Sequence, residues 1–276
     1  MHKWIYYAMS LVRVVTGFRR PIRVLTILLG PRLRRPTRVS LRAGPEFLVR
    51  SKMDVWCLKE TWLDRFYERQ VGPIGLDWRI IDIGAGIGDF TVLAAQAALL
   101  GTVLAFEPLP DSYRMLADNL ARNACSNVHA EAVAVGGHGG SLSIGAVSGD
   151  PLQTTADASR RGSEVVPVPC VALEEVITRL FPEACDLAKM DCEGAEFDII
   201  LASPASVLQK IQRFVLEYHD WPPHDHLMLS DRLTSLGYCV RTTPNAVHGE
   251  TGYLYAWKGD LPHARRHPKL TLHPPR

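Results

Sequence analysis

The sequence predicts an α/β fold in which helices cover both faces of a largely parallel sheet, and two observations support this prediction. From Trp78 onward, short apolar runs alternate with segments of helical periodicity. A glycine-rich turn joins the first apolar run to the first helical segment, as expected where a strand is followed by a helix. Because parallel strands need crossover connections, the helical segments should lie on the two faces of the sheet. A chain of 276 residues can hold one such domain with extensions.

The alternation extends over residues 78–260, which we predict to form the main domain. Its predicted strands are Arg79–Gly84, Thr102–Phe106, Val128–Val135, Glu164–Val171, Asp186–Met190, Ile211–Tyr218 and a final pair, Tyr238–Thr242 with Tyr253–Trp257. Its predicted helices are Asp89–Leu100, Asp111–Asn123, Leu173–Leu180, Ala195–Leu201 and Leu227–Leu236. The Gly-, Ser- and Ala-rich stretch 136–162 predicts a turn, a short strand at Ser141–Ile144 and a mobile loop that would act as a substrate lid.

Three segments flank this domain. Residues 1–37 form a basic leader that Pro21, Pro31 and Pro36 divide into short pieces. Residues 38–77 are predicted to contain a hairpin, Arg38–Arg50, followed by a helix, Asp54–Arg69. Residues 261–276 contain four prolines and are predicted to be a disordered tail.

The charge is distributed unevenly, although the whole chain carries only +2. Residues 1–45 contain ten Lys or Arg and no acid, whereas residues 46–260 contain 17 basic and 29 acidic residues. The tail adds four basic residues. A basic leader on an acidic body is expected to meet an anionic partner, which could be a phospholipid surface, a nucleic acid or the body itself.

The leader also has helical periodicity. On a helix, Lys3, Ser10, Arg13, Gly17 and Arg20 share one side, and the apolar residues Trp4, Ile5, Ala8, Leu11, Val12 and Val15 share the other. This pattern suits a helix lying in a membrane interface as well as a helix packed on the protein body, and both interpretations stay open. No apolar run reaches the roughly 18 residues of a spanning helix, so membrane contact through residues 1–35 would be peripheral.

The cysteines and histidines predict no metal centre. Six scattered cysteines without a CxxC pair are typical of reduced thiols in a cytoplasmic protein. His219, His224 and His226 are separated by an irregular Trp-Pro-Pro loop, which disfavours a transition-metal site. The remaining alternative is magnesium held by Asp191 with Glu217 or Glu193.

A nucleoside site is predicted at the glycine-rich turn. Gly84, Gly86 and Gly88 follow a strand that ends in Asp82, so the backbone can approach a ligand closely. The spacing is GxGxG rather than the GxGxxG of dinucleotide sites, and the last position of that motif is taken by an aspartate, which disfavours NAD. Glu107 ends the next strand, before Pro108, where a carboxylate can accept hydrogen bonds from both ribose hydroxyls.

A second group of polar residues follows two later strands. The segment LAKMDCEGAE places Lys189, Asp191, Glu193 and Glu196 after one strand, and FVLEYHD places Glu217 and His219 at the exit of the next. Since ligands of open parallel sheets lie at the carboxyl ends of the strands, these residues should face the same crevice as the glycine turn. His219 is a candidate general base.

These motifs, in the order IDIGAGIGDFT, AFEP, LAKMDCEGAE and VLEYH, resemble the FkbM-like methyltransferase family over about Arg38–Lys258. The resemblance implies a class I methyltransferase fold, which is a Rossmann-like, mostly parallel seven-stranded sheet with helices on both faces and an antiparallel final strand. It implies S-adenosylmethionine as methyl donor and a hydroxyl of a sugar, glycan or natural product as acceptor. By motif position, the cofactor-binding residues would be Asp82, Gly84, Gly86, Gly88, Glu107, Pro108 and Asp191, and the catalytic candidates Lys189, Asp191, Glu193 and His219.

Two other functions stay open. A nucleic-acid methyltransferase would suit the basic leader, but enzymes that methylate base amines are expected to carry a D/N-P-P-aromatic run where this chain has DCEG. We therefore predict a small-molecule or glycan acceptor and no nucleic-acid partner. The other alternative is a non-catalytic nucleoside-binding module at a membrane surface.

Overall fold

The computed structural model describes residues 3–147, 150–155, 164–245 and 249–259, with residues 3–6, 146–147, 150–155 and 164 described by their backbone alone. The strands are β1 Thr37–Ser40, β2 Glu46–Val49, β3 Arg79–Ile83, β4 Thr102–Phe106, β5 Val128–Glu131, β6 Ala134–Gly136, β7 Gly140–Val147, β8 Asp150–Thr155, β9 Glu164–Ala172, β10 Leu187–Met190, β11 Arg213–His219, β12 Cys239–Pro244 and β13 Thr251–Trp257. The helices are α1 Lys3–Gly17, α2 Pro21–Leu29, α3 Lys52–Leu58, α4 Phe66–Val71, α5 Asp89–Ala97, α6 Pro110–Arg122, α7 Leu173–Leu180, α8 Ala195–Ala202, α9 Ala205–Leu208 and α10 His226–Ser235, with a π-helical turn at Lys59–Leu63.

The main sheet has seven strands in the order β12-β13-β11-β10-β3-β4-β5. Strands β5, β4, β3, β10 and β11 run parallel, and β13 lies antiparallel between β11 and β12. This is the predicted class I topology, with the final strand reversed and inserted into the sheet, and the prediction is confirmed. The order changes direction between β3 and β10, which opens a crevice at the carboxyl ends of these strands.

The central strands are apolar because both of their faces are covered. All four residues of β10 are buried, and so are four of the five residues of β3. Helices supply the covering layers, with Leu93 and Phe90 of α5 on one side and Ile199 and Ile200 of α8 in the other core cluster. An alternating pattern would have left one face polar, so the continuous apolar runs correctly indicated a two-sided core.

The stretch 136–162 differs from the prediction, except that the short strand predicted at Ser141–Ile144 is observed within β7. Strands β7 and β8 occupy most of its described part and join β6 and β9 in a second, four-stranded sheet of order β6-β9-β7-β8. The predicted strand Val128–Val135 is consequently split between the two sheets. The expected loop was wrong for these residues because β7 pairs with β9 along its length, a contact between distant segments that composition cannot reveal. Residues 148–149 and 156–162 of the predicted lid lie outside the described residues.

The predicted hairpin Arg38–Arg50 is confirmed as the antiparallel pair β1 and β2, but the single helix predicted over Asp54–Arg69 is broken. It is observed as α3, the π-helical turn and α4, with Arg65 at φ 51° before α4. Lys59 is fully buried in this turn and its Nζ lies 2.6 Å from Asp64 Oδ2. This buried ion pair spans the π-helical turn, which interrupts the regular helical pattern that periodicity predicted.

The leader packs on the body through the side of α1 that carries its polar and small residues. Ser10 and Val14 are buried, Arg13 pairs with Asp64, and Gly17 lies against Leu63, so closely that a Cβ would be 2.3 Å from that side chain. The opposite apolar side of α1 is exposed. Within the described ranges, no helix is both long and apolar enough to cross a membrane. The predicted tail, 261–276, lies outside these ranges.

Candidate functional site

A cavity of about 580 Å³ lies at the carboxyl ends of β3, β4, β10 and β11. Its volume falls in the usual range for cofactor and small-molecule sites. The glycine turn and Glu107 line one part, above β3 and β4, and Asp191, Glu193 and His219 line another, above β10 and β11. Because β3 and β10 are neighbours in the sheet, the two parts form one continuous site.

The glycine turn is shaped by contacts with other elements as well as by its own backbone. Gly84 has φ +73°, and a Cβ there would lie 1.9 Å from the carbonyl oxygen of Asp191. Gly86 has φ +56° and its N–H points to Glu107. A Cβ at Gly88 would lie 2.6 Å from Leu116 of α6, so this glycine serves helix packing. Gly84 and Gly86 line the cavity, and Gly88 does not appear in its wall.

Glu107 is buried at the bottom of the nucleoside part of the cavity. Its Oε2 accepts a hydrogen bond from the Gly86 N–H at 2.8 Å, and its Oε1 accepts one from the Leu109 N–H at 2.9 Å. Burial raises the pKa of Glu107 to about 7, although these two amide hydrogen bonds oppose the rise. Each carboxylate oxygen has a second lone pair, so this fixed carboxylate can still accept ribose hydroxyls.

Asp82 and Lys189 support the turn from below. Lys189 Nζ lies 3.1 Å from Asp82 Oδ1 and donates to the Gly84 carbonyl at 2.9 Å. The other Asp82 oxygen accepts a hydrogen bond from Thr91 Oγ1 at 2.6 Å. Burial alone would lower the pKa of Lys189, but Asp82, Asp191 and Asp89 together raise it above its ordinary value. Asp82 is fully buried and absent from the cavity wall, so it holds the turn in place rather than presenting an oxygen to the cavity.

Glu193 lies in the loop between β10 and α8 in an unusual backbone conformation. Its φ of +55° places a non-glycine residue in the left-handed region, followed by Gly194 at φ +106°. Such a conformation costs about 1 kcal/mol or more and persists only where the surroundings impose it. In this loop Glu193 Oε2 lies 3.5 Å from His219 Nε2, with about one-third of its side chain exposed to the cavity.

His219 is held on its other side by Glu196. Glu196 Oε1 accepts the backbone N–H of His219 at 3.0 Å and lies 3.0 Å from its Nδ1. Glu196 Oε2 accepts the N–H of Gly194 at 2.8 Å, so this fully buried carboxylate joins the end of β11 to the loop that carries Glu193. Carboxylate contact at Nδ1 leaves Nε2 directed towards Glu193 and the cavity.

The charge of His219 follows from these neighbours. Burial would lower its pKa, but the hydrogen bond and charge of Glu196, with the charges of Glu193 and Glu217, raise the pKa to about 10. His219 therefore carries a proton at neutral pH. An imidazolium donates hydrogen bonds from both nitrogens, so the predicted role as general base would require that proton to leave first.

The acceptor part of the cavity is rich in carboxylates and aromatic rings. Glu217 lines it from β11, and burial together with the charge of Asp191 raises the pKa of Glu217 well above its ordinary value. Aromatic side chains from residues 38–77, which we call the preamble, and from β13 line the same space, namely Trp56, Phe66, Tyr67 and Tyr253. The sequence motifs did not predict the preamble residues as site residues, because this segment has helical periodicity and no recognisable ligand-binding pattern.

Asp89 shows how the preamble closes over the turn. Its carboxylate accepts a hydrogen bond from Thr61, and its backbone carbonyl accepts one from Trp62 Nε1 at 3.0 Å. Burial raises the pKa of Asp89 to about 6, with Lys189 and the Thr61 hydrogen bond opposing. The aspartate that disfavoured a dinucleotide in the sequence is therefore a link between the turn and its covering segment.

Three potential cation ligands, from Asp191, Glu193 and His219, lie within 4.8 Å of one another. Two of them are the carboxylates of the magnesium alternative. Because these ligands lie close together, we include a test of metal dependence in the methyl transfer assays described below.

Sequence comparison decides the family of this chain. A family model described as the methyltransferase FkbM domain matches residues 82–240, which is more than half of the chain. The chain belongs to the FkbM methyltransferase family. S-adenosylmethionine is its methyl donor, and the cradle formed by Gly84, Gly86 and Glu107 fits the nucleoside part of that molecule.

Two fungal relatives are similar over most of this FkbM methyltransferase. Methyltransferase sdnD of Sordaria araneosa is 27% identical over 195 residues, which cover 60% of this chain and 74% of the relative. Methyltransferase 1 of Beauveria bassiana is 27% identical over 204 residues, covering 66% and 80%. The AMB antimetabolite synthetase AmbE of Pseudomonas aeruginosa is 27% identical over 197 residues, and this match spans only 9% of the length of that protein.

The FkbM resemblance implied specific cofactor-binding residues. In the structure some of them line the cavity and the others lie behind it. Gly84, Gly86, Glu107, Pro108 and Asp191 line the cavity. Asp82 and Gly88 lie behind it and shape the turn. All four catalytic candidates also line the cavity. Lys189 differs from the other three because its Nζ donates a hydrogen bond to the Gly84 carbonyl of the glycine turn.

Proposed function

We propose that this methyltransferase transfers the methyl group to a hydroxyl oxygen of a sugar, glycan or natural product. The observation that carries the proposal is the Glu193–His219–Glu196 chain at the acceptor side of the cavity. It places a carboxylate that is partly exposed to the cavity next to a fixed imidazole, which is an arrangement suited to removing a proton.

When bound, S-adenosylmethionine supplies an electrophilic methyl group on a sulfonium. Glu107 would hold the nucleoside by accepting its ribose hydroxyls beside the glycine turn, while Lys189 keeps the turn in its conformation. Glu193 accepts the proton of the acceptor hydroxyl, because it faces the cavity and because His219 already carries a proton. The His219 imidazolium orients Glu193 from 3.5 Å and stabilises its charge. Alignment of the acceptor supplies most of the remaining rate enhancement.

The charge of the acceptor part supports a neutral, hydroxyl-rich acceptor. Asp191, Glu193 and Glu60 line the cavity there, and these carboxylates would repel phosphate groups. Carboxylates accept hydrogen bonds from hydroxyls, and Tyr67 and Tyr253 add aromatic surface to the cavity wall for the apolar side of a sugar or a fused ring system. A nucleic-acid acceptor is disfavoured by the same charges.

The test is methyl transfer from labelled S-adenosylmethionine to fractionated sugars, lipid-linked glycans, natural products and RNA, with mass spectrometry of the product. We expect an added methyl group on oxygen in a neutral fraction. Methylated RNA, or methylation on nitrogen, would contradict the proposal, and tight cofactor binding without transfer to any fraction would favour the non-catalytic module. Parallel reactions with EDTA and with added magnesium determine whether the Asp191 cluster needs a cation.

Three variants separate the roles within the site. Glu193→Gln and His219→Ala should lower turnover, by about 10²-fold for Glu193→Gln, with cofactor affinity nearly unchanged. Glu107→Ala should weaken cofactor binding. Equal losses of cofactor affinity in all three variants, measured by calorimetry, would contradict this division. We also propose that the enzyme is cytoplasmic, as its scattered cysteines predict.

A further inference from the structure

The exposed apolar residues of this protein are concentrated in the leader. In α1, Leu11, Val12 and Val15 are exposed by 51%, 61% and 41%, and they lie on one side of the helix. In α2, Ile22 and Leu29 are two turns apart on one side and are exposed by 78% and 84%. Apolar side chains grouped in this way on a surface mark a site of interaction.

Helix α1 buries Val14 against the body but leaves Leu11, Val12 and Val15 exposed on its other side. Its side with Ser10 and Arg13 packs on the body, where Arg13 pairs with Asp64, and its more apolar side faces outward. The ion pair and the close contact of Gly17 with Leu63 fix this orientation. An arrangement that turns apolar residues towards water is favourable only when something covers them.

Arginines surround the exposed stripes. Arg19, Arg20 and Arg23 lie at the junction of α1 and α2, and Arg32, Arg34 and Arg35 follow α2, all with exposed side chains. Among the described residues, no ion pair connects Arg20, Arg23 or these three later arginines to a carboxylate. The leader thus presents unneutralised positive charge next to apolar side chains.

We propose that α1 and α2 form a docking surface for a bilayer that contains anionic phospholipids. Apolar side chains at the level of the acyl chains, with arginines at the level of the phosphates, are the pattern of an interfacial helix. A second copy of this chain would bring two sets of arginines together, and a nucleic acid would leave the apolar stripes uncovered. The anionic bilayer is the partner that matches both properties.

The docking surface is next to the active site. Tyr7 of α1 lines the cavity, and its ring centroid lies 6.2 Å from that of Trp56 in the preamble. Tyr7 is one helical turn before Leu11, so the helix that meets the bilayer also borders the cavity. Membrane docking does not depend on the identity of the acceptor, and it can be tested without a methyl transfer assay.

The experiment is flotation of the full chain with vesicles of phosphatidylcholine alone or with about one-third phosphatidylglycerol. We expect binding to the anionic vesicles only, reduced by at least about tenfold when sodium chloride is raised from about 0.1 M to about 0.5 M. Leu11→Asp with Val15→Asp, and separately Arg20→Ala with Arg23→Ala, should each lower binding by about tenfold or more.

The matched control is Leu99→Asp with Leu100→Asp. These leucines are also strongly exposed, at 67% and 78%, but lie in the turn before β4. We expect the control to bind vesicles as the unmodified chain does, and all variants to keep their melting temperature and their affinity for S-adenosylhomocysteine. Equal losses in the leader variant and the control would overturn the proposal. Equal binding to neutral and anionic vesicles would also overturn it. A third contrary result is a chain that binds no vesicles but forms a concentration-dependent dimer, which Leu11→Asp with Val15→Asp abolishes.

Discussion

Glu196 Oε1 lies 3.0 Å from both the backbone nitrogen and the ring Nδ1 of His219. One buried carboxylate therefore fixes the position, the orientation and the charge of the only histidine that lines the cavity among the described residues. The same carboxylate holds Gly194, next to Glu193. Glu196 touches neither part of the cavity wall, so it acts as a positioning residue for the pair that does.

Glu196→Gln should lower the pKa of His219 from about 10 towards or below its ordinary value, because burial then acts with less opposition. If Glu193 is the base and His219⁺ supports it, the variant will lose activity as pH rises through this lowered pKa, whereas the unmodified enzyme will lose it only near pH 10. NMR titration of the imidazole and pH–rate profiles measure both quantities. An increase in turnover at neutral pH would instead identify His219 as the base, since more of it would be neutral.

Cofactor binding should depend on pH through Glu107, whose pKa is raised to about 7. Ribose hydroxyls donate to the ionised carboxylate, so binding should strengthen between about pH 6 and about pH 8 and should release a proton at neutral pH. Calorimetry with S-adenosylhomocysteine in buffers of different ionisation enthalpy detects the proton. Glu107→Gln should bind more weakly and without this pH dependence, and proton uptake on binding would contradict the assignment.

Glu217 should make the protein less stable at alkaline pH. Its pKa is raised in the folded state by burial and by Asp191, so its contribution to stability is present below the ordinary carboxyl pKa and is lost as pH rises through the raised value. Glu217→Gln, which resembles the protonated form, should match the unmodified protein at low pH and exceed its free energy of unfolding at high pH. Denaturant titrations at several pH values test this, and parallel curves for the two proteins would refute it.

Lys189→Met should destabilise the fold by about 3–5 kcal/mol, because it leaves the fully buried Asp82 without its cation. It also removes the hydrogen bond to the Gly84 carbonyl, so cofactor affinity should fall as well. The double variant Lys189→Met with Asp82→Asn should recover part of the stability without recovering the affinity. A single variant as stable as the unmodified protein would show that the pair contributes little.

Much of the fold and the nucleoside site could be predicted from local patterns. The apolar runs of β3 and β10 and the carboxylate that follows β4 are features of short segments, and the family motifs are contiguous. The second sheet could not be predicted, because β7 finds its partner β9 only after the chain has turned back. The break at Arg65 was not predicted either, because the local pair of Lys59 with Asp64, and the contact of Asp64 with Arg13 of the leader, outweigh helical periodicity.

The sequence by itself determined the order of strands and helices in the main sheet, the glycine turn and the set of charged residues that end the strands. These depend on residue type and on spacing over a few turns. Only the tertiary structure decided which of those residues face the cavity. It placed Asp82 behind the turn, joined Glu196 to His219 and turned the apolar side of α1 outward, because each outcome depends on contacts between residues far apart in the chain.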